Sequence, residues 1–195
     1  GEQLSANQIA EKYQISATPI REALNVLQQE GLIQVLPRVG YFVTQITLKD
    51  ISDLFGFRIL IEGASAELAA QHITEEEIDA LERIPIDYIE GDPESYWDYV
   101  QNNRMFHQGI ARASRNQWIE RSVVSILDQM SRLVFMGLDA HDYSVDIIEH
   151  HPRVISALRS RDSLLSKQVM IEGIEKTRQA VLQAMMQRAN VPIHP

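Results

Sequence analysis

Cysteine is absent from the 195-residue sequence, which excludes a disulfide framework, a thiol nucleophile and a thiolate metal site. No apolar run approaches the roughly 18–20 residues that a membrane-crossing helix needs. No basic stretch followed by an apolar core opens the chain in the manner of a secretory leader. A cytoplasmic location is therefore expected, with no membrane partner. G-x-S-x-G, H-E-x-x-H and phosphate-cradling glycine loops are missing too, so hydrolytic and nucleotide chemistry have no motif to rest on.

Positive charge is the other scarcity. The chain carries 18 basic and 27 acidic residues, a formal net charge of −9. Residues 1–46 hold Lys12, Arg21 and Arg38 against Glu2, Glu11, Glu22 and Glu30, a net of −1, which leaves −8 for the remainder. A nucleic-acid-binding module is ordinarily basic, and this segment is not. The chain opens at Gly1 on a helix-start signal, so an incomplete N-terminus is expected, with further positive charge in the missing part.

What is present in residues 1–46 is a compact order of elements. Ser5 is placed to cap a short helix over about 6–13, with Ile9 and Tyr13 one turn apart. After Gln14 and Ile15, Ser16 or Thr18 caps a second helix, in whose first turn Pro19 is tolerated because that N–H has no intrahelical partner. Ile20, Ala23, Leu24 and Leu27 follow the i, i+3, i+4, i+7 stripe of a core-facing helix, and Gly31 is suited to terminate it. Two strands follow, LIQVL and YFVTQI, joined by a turn over Pro37–Gly40. Two short helices and a β-hairpin make a winged helix-turn-helix whose usual first helix is missing.

From Leu48 the apolar period is helical almost to the end. Segments are expected at about 49–72, 74–90, 93–113, 116–138, 144–160 and 162–189, separated by Thr74 before three glutamates, Gly91-Asp92-Pro93, Ser114–Asn116 and the polar 139–144 stretch. The expected fold is thus mainly α, with a winged helix-turn-helix over 1–46 and an all-α six-helix bundle over 47–195, large enough to enclose a ligand and to dimerise.

The stretches ISATPIREALNVLQQEGLI and PRVGYFV resemble the DNA-binding module of GntR-type bacterial transcription regulators. FRILIEGASAELAA, NNRMFHQGIARAS and HPRVISALRSRD resemble the helical, FCD-type effector domain of the FadR subgroup, in the expected order. The resemblance implies a homodimeric, sequence-specific regulator of a double-stranded DNA operator. The helix from Ser16 would enter the major groove, with the Pro37–Gly40 turn as wing. Arg21, off the Ile20–Leu24 face, would reach a guanine edge or a phosphate. Ser16, Thr18 and Gly40 would approach the backbone, and Arg38 would enter the adjacent minor groove or track the backbone. Ala17 stands where many relatives carry Arg before the T-P pair, and Asn7 where some carry Arg.

In many proteins of that subgroup a divalent ion (zinc, nickel or manganese) sits in the bundle between Asp, His, His and His. The matching positions here are Asn103, His107, His151 and Gly173, so only His107 and His151 remain as imidazole ligands of a degenerate site. The other reading makes both histidines hydrogen-bonded groups of an effector pocket. Asn103 and His107 share the stripe of Tyr99, Val100, Phe106 and Ile110, so both face the interior. Arg58 either clamps an effector carboxylate or pairs with Glu62 one turn on, and Arg132 is a second candidate clamp. The implied effector is a small organic acid or an acyl-type molecule. His150 lies off its helix's apolar stripe and reads as surface, and Pro152 is expected to kink or start its helix. No enzyme is expected; the alternatives are a metal-dependent hydrolase or a DNA-incompetent sensor using the same pocket.

Overall fold

The computed structural model describes residues 1–89, 91–140 and 150–189, and their side chains except those of 132, 134–140 and 187–189. The chain forms two compact units, Gly1–Thr47 and Leu48–Pro195.

In the first unit, Ser5 caps α1 (Ala6–Tyr13) by accepting from the Gln8 N–H. α2 (Ala17–Gln29) starts at Ser16, whose backbone is extended and whose side chain makes no capping bond. Gly31, at φ +74°, terminates it while the Leu32 N–H reaches back to the Leu27 carbonyl at 2.9 Å, closing the helix end. Two strands were expected; the structure has three. β2 (Ile33–Leu36) and β3 (Gly40–Val43) pair antiparallel from Ile33↔Val43 to Leu36↔Gly40. The two-residue β1 (Gln3–Leu4) pairs with the other edge of β3, giving the order β1-β3-β2. A strand of two residues has no periodicity to read, and only its partner defines it. Ala10, Leu24 and Ile33 are buried. Ala23, expected on the core stripe of α2, is exposed.

The second unit contains α3 (Leu48–His72), α4 (Glu75–Glu82), α5 (Pro93–Ala113), α6 (Gln117–Ala140), α7 (His150–Arg159) and α8 (Ser163–Ala189). α3 is the hub, packing on α5, α6, α7 and α8, while α4 lies against α5 and α7. Local signals define most boundaries. Thr74 and Glu77 form a reciprocal capping box at the start of α4. Asp92 caps α5 ahead of Pro93, and Asn116 accepts from the Trp118 and Ile119 N–H groups at the start of α6. The helix expected over 74–90 stops at Glu82, because Pro85 lacks an N–H and bars the helical conformation at Ile84. Ile51, Phe55, Phe106, Ile110, Leu133, Leu158 and Ile174 are among the fully buried side chains. No helix among the described residues is long and apolar enough to cross a membrane.

Candidate functional site

The N-terminal unit presents one end of α2 and one turn. Ser16, Thr18 and Arg21, on the first two turns, are exposed. An exposed helix start offers free N–H groups and the positive end of the helix dipole to an anion. Between β2 and β3 the Val39 N–H bonds the Leu36 carbonyl at 3.0 Å, enclosing Pro37 and Arg38 in a tight turn. Arg38 adopts φ +64°, the value that the third residue of a type II turn requires and that glycine normally fills. It stands exposed at the tip. Gly40, at φ +135°, occupies backbone space that other residues rarely enter, and the Gln3 side chain bonds the Val39 carbonyl beside it.

The second unit encloses a cavity of about 20 Å³, lined by Arg58 of α3, Tyr99, Asn103 and His107 of α5, His150 and His151 of α7, and Gly173, Ile174 and Thr177 of α8. That is room for one water or one small ion. Arg58 and Glu62 are each only 2% exposed, with Arg58 Nε donating to Glu62 Oε1 at 2.5 Å. The other carboxylate oxygen, Oε2, meets His107 Nδ1. Burial alone would push the Glu62 carboxyl up; Arg58 and then His107 more than offset it and hold it down at about 2. The side chain is therefore a buried carboxylate between two donors.

Across the cavity Asn103 Oδ1 lies 3.1 Å from His151 Nε2, which makes His151 the donor through its Nε2–H. The His151 ring stacks on Phe106, centroids 3.7 Å apart. Burial, then His107 and His150, push the His151 imidazole well below its ordinary value. His150 is held at about 3 by burial first and by His107 and Arg58 after it. Both imidazoles are neutral at any physiological pH. Burial likewise raises the Tyr99 hydroxyl above its usual value. Tyr99 Oη, His151 Nδ1 and both ring nitrogens of His150 are buried without a hydrogen-bond partner among the described residues.

His150 corrects the sequence reading. Expected at the surface, it is 7% exposed and lines the cavity, because Gly173 leaves the room its ring fills. Glu62, read only as a partner for Arg58, is the group joining Arg58 to His107; its i, i+4 spacing was the available signal. Arg58 does pair with Glu62, and the pair is buried. Pro152 lies in the first turn of α7; Ile148, where a clash was expected, lies outside the described residues, as does the Arg132 side chain.

The ion that the resemblance implies would use positions 103, 107, 151 and 173, and the residues present do not fit it. Asn103 brings no charge and Gly173 no donor. His151 Nε2 is engaged by Asn103. Among the described residues no three His, Cys, Asp or Glu side chains are grouped to hold a metal ion.

A second, open groove of about 430 Å³ lies between α4, the segment after it and α7, lined by Leu81, Ile84, Ile86, Pro152 and Ile155 with Glu82, Ser156 and Arg159. His151 lines this groove as well as the buried cavity.

Comparison with known families matches residues 53–176 to the FCD domain and residues 1–43 to the bacterial regulatory proteins of the gntR family. The chain belongs to the gntR family of regulators and carries an FCD domain. It is 26% identical to the HTH-type transcriptional repressor RspR of Escherichia coli K12, over 97% of this chain and 84% of that protein. It is also 26% identical to the gluconate operon transcriptional repressor of Bacillus subtilis, over 91% and 75%. The fold is shared with E. coli McbR/YncC (TM-score 0.72, 18% identity, 96% of this chain and 89% of that one). A putative GntR regulator of Rhodococcus sp. RHA1 shares it as well (TM-score 0.71, 20% identity, 94% and 88%). This gntR-family chain is a DNA-binding transcriptional regulator. Its families and relatives are regulators, not enzymes, which removes the hydrolase alternative.

Proposed function

We propose that this regulator binds a near-palindromic operator as a homodimer, and that a small organic acid in the FCD bundle alters its affinity for that operator. On the DNA side, α2 lies in the major groove with Arg21 on a guanine edge or a phosphate, Ser16 and Thr18 bond phosphates, and the Arg38 wing tip enters the adjacent minor groove above Gly40. The exposed start of α2 and the Arg38 turn support this reading, since both present donors with no structural duty of their own. Two copies related by a two-fold axis read two half-sites.

The observation that carries the effector reading is the set of buried, unpartnered polar atoms around the small cavity: Tyr99 Oη, His151 Nδ1 and the His150 nitrogens. Buried polar atoms without partners are uncommon and costly unless something pairs with them. A cavity of about 20 Å³ does not admit an organic acid as it stands. His151, as the wall shared with the open groove, is where the two spaces join when the ring turns. The acid's polar head then meets the unpartnered groups of Tyr99, His150 and His151 beside Asn103, His107 and Arg58, while its body rests against Ile84, Ile86 and Ile155. Binding to that opened arrangement in preference to the closed one shifts the population, a coupling of about 1–3 kcal/mol in typical cases. Hydroxylated acids are the first class to screen, since a similar repressor is named for a gluconate operon.

The test is selection from random duplex DNA followed by anisotropy titration of the enriched site with and without a panel of organic acids. A two-fold symmetric site whose affinity changes with one acid, and no longer changes in the His107→Ala variant, is the expected result. An operator indifferent to every acid in the panel would remove the effector claim.

A further inference from the structure

Position 173 and position 150 compete for one space. A Cβ built on Gly173 would lie 2.1 Å from His150 Cε1 and 2.2 Å from its Nδ1 and Nε2. Side-chain carbons essentially never approach other atoms that closely, and the obstacle is the body of the ring, so any side chain at 173 requires the imidazole to leave. The ring enters from α7, stands over the α8 backbone and is almost wholly buried. Neither of its nitrogens has a hydrogen-bond partner among the described residues. It is held by packing, with the His151 ring beside it.

The rest of the cavity is equally unsuited to a divalent cation. No carboxylate lines it among the described residues, and Glu62 behind it is already paired with Arg58 and in contact with His107. The Arg58 guanidinium lines the same space, and a +2 ion beside it would meet repulsion with no net negative charge in return. Where a carboxylate and an imidazole would share an ion, the Asn103 amide oxygen accepts directly from the His151 Nε2–H at 3.1 Å. That bond spends the Asn103 oxygen and the His151 Nε2 on each other.

We infer that His150 is the specificity-determining side chain of this pocket: seated over Gly173, it fills the position an ion ligand would need, and with the Asn103–His151 bond it makes the site independent of divalent metal. The inference concerns the cavity itself and is read by ion stoichiometry, so it stands or falls separately from the acid-effector reading.

The experiment uses the tag-free full chain, treated with a chelator, then equilibrated with zinc, nickel or manganese and analysed for metal content and melting temperature. The expected result is no stoichiometric ion and no shift in melting temperature with any of the three. In parallel, the combined variant Asn103→Asp, His150→Ala, Gly173→His is expected to take up one ion per chain and to melt higher when loaded. One equivalent bound by the unmodified chain, and lost on His107→Ala, would overturn the inference. A combined variant with unchanged circular dichroism that still takes up no ion would also overturn it, because something other than His150 would then be excluding the metal.

Discussion

Arg38 occupies a backbone angle, φ +64°, at which glycine is the unstrained choice, yet the turn keeps an arginine at its exposed tip. That conflict separates binding from folding. Arg38→Gly relieves the strain, so chemical denaturation should show stability unchanged or slightly raised, while operator affinity falls; equal affinity for the variant would take the wing out of the DNA contact. In the bundle, Glu62 is the residue on which Arg58 and His107 depend. Glu62→Ala strands a buried guanidinium, and truncating one partner of a buried ion pair costs about 3–5 kcal/mol. Urea unfolding should show a loss of that size, and a loss below about 1 kcal/mol would mean that water already reaches the pair. The neutral histidines set a pH dependence whose sign follows from their depressed values. His150 binds its proton at about 3 in the folded chain against an ordinary 6.5 when unfolded, and His151 is also lowered. The unfolded chain therefore takes up protons first as pH falls below 6.5. Each such histidine removes about 1.4 kcal/mol of stability per pH unit until its folded value is reached. Glu62, lowered from 4.5 to about 2, adds its own loss only below pH 4.5. Melting temperature should thus decline from about pH 6.5 downward, and His150→Gln should flatten the slope between 6.5 and 4.5.

At the scale of elements, legibility depended on whether the cause was local. α5 spans Pro93–Ala113, the range the sequence reading assigns it, because Asp92-Pro93 starts it and the Ser114–Asn116 break ends it within a few residues of each boundary. α4 begins where Thr74 and Glu77 say it should, but its end was overrun: the apolar and polar alternation continues past Glu82, and Pro85 decides the matter. β1 was invisible, since Gln3 and Leu4 become a strand only through pairing with Phe42 and Tyr41. The pocket divides in the same way. Arg58 with Glu62 on α3, and Asn103 with His107 on α5, are legible because i, i+4 spacing places each pair on one helix face. His150 was not, because the room it fills is made by Gly173 on the next helix. The capping box offers an element-scale check. Thr74→Ala removes the side-chain oxygen that accepts from the Glu77 N–H, and loss of such a cap costs about 1 kcal/mol. Because α4 forms one wall of the open groove, hydrogen exchange in Glu75–Glu82 should rise with little change in α3. A uniform rise across the bundle would show that α4 does not open independently.

For the molecule as a whole, charge is distributed against its task. A DNA-binding protein of net charge −9 has to confine its attraction to a few cations. In residues 1–47 the cationic side chains are Lys12, Arg21 and Arg38. If a symmetric pair of chains uses all three from each, six phosphates are neutralised at most. At about −0.9 per phosphate, the logarithm of affinity should fall against the logarithm of salt concentration with a slope of about −5 or shallower. The acidic bundle contributes a repulsion that salt screens, which flattens the slope further. Anisotropy across a range of potassium chloride concentrations measures this directly. A slope near −5, reduced by roughly two on Arg21→Ala in both chains, would place six cations on the backbone and show that Arg21 contacts a phosphate. A slope unaffected by that substitution, with specificity relaxed at one base pair of each half-site, would instead assign Arg21 to a guanine edge. A slope steeper than about −8 would exceed what residues 1–47 of two copies can supply, and would move part of the DNA contact elsewhere.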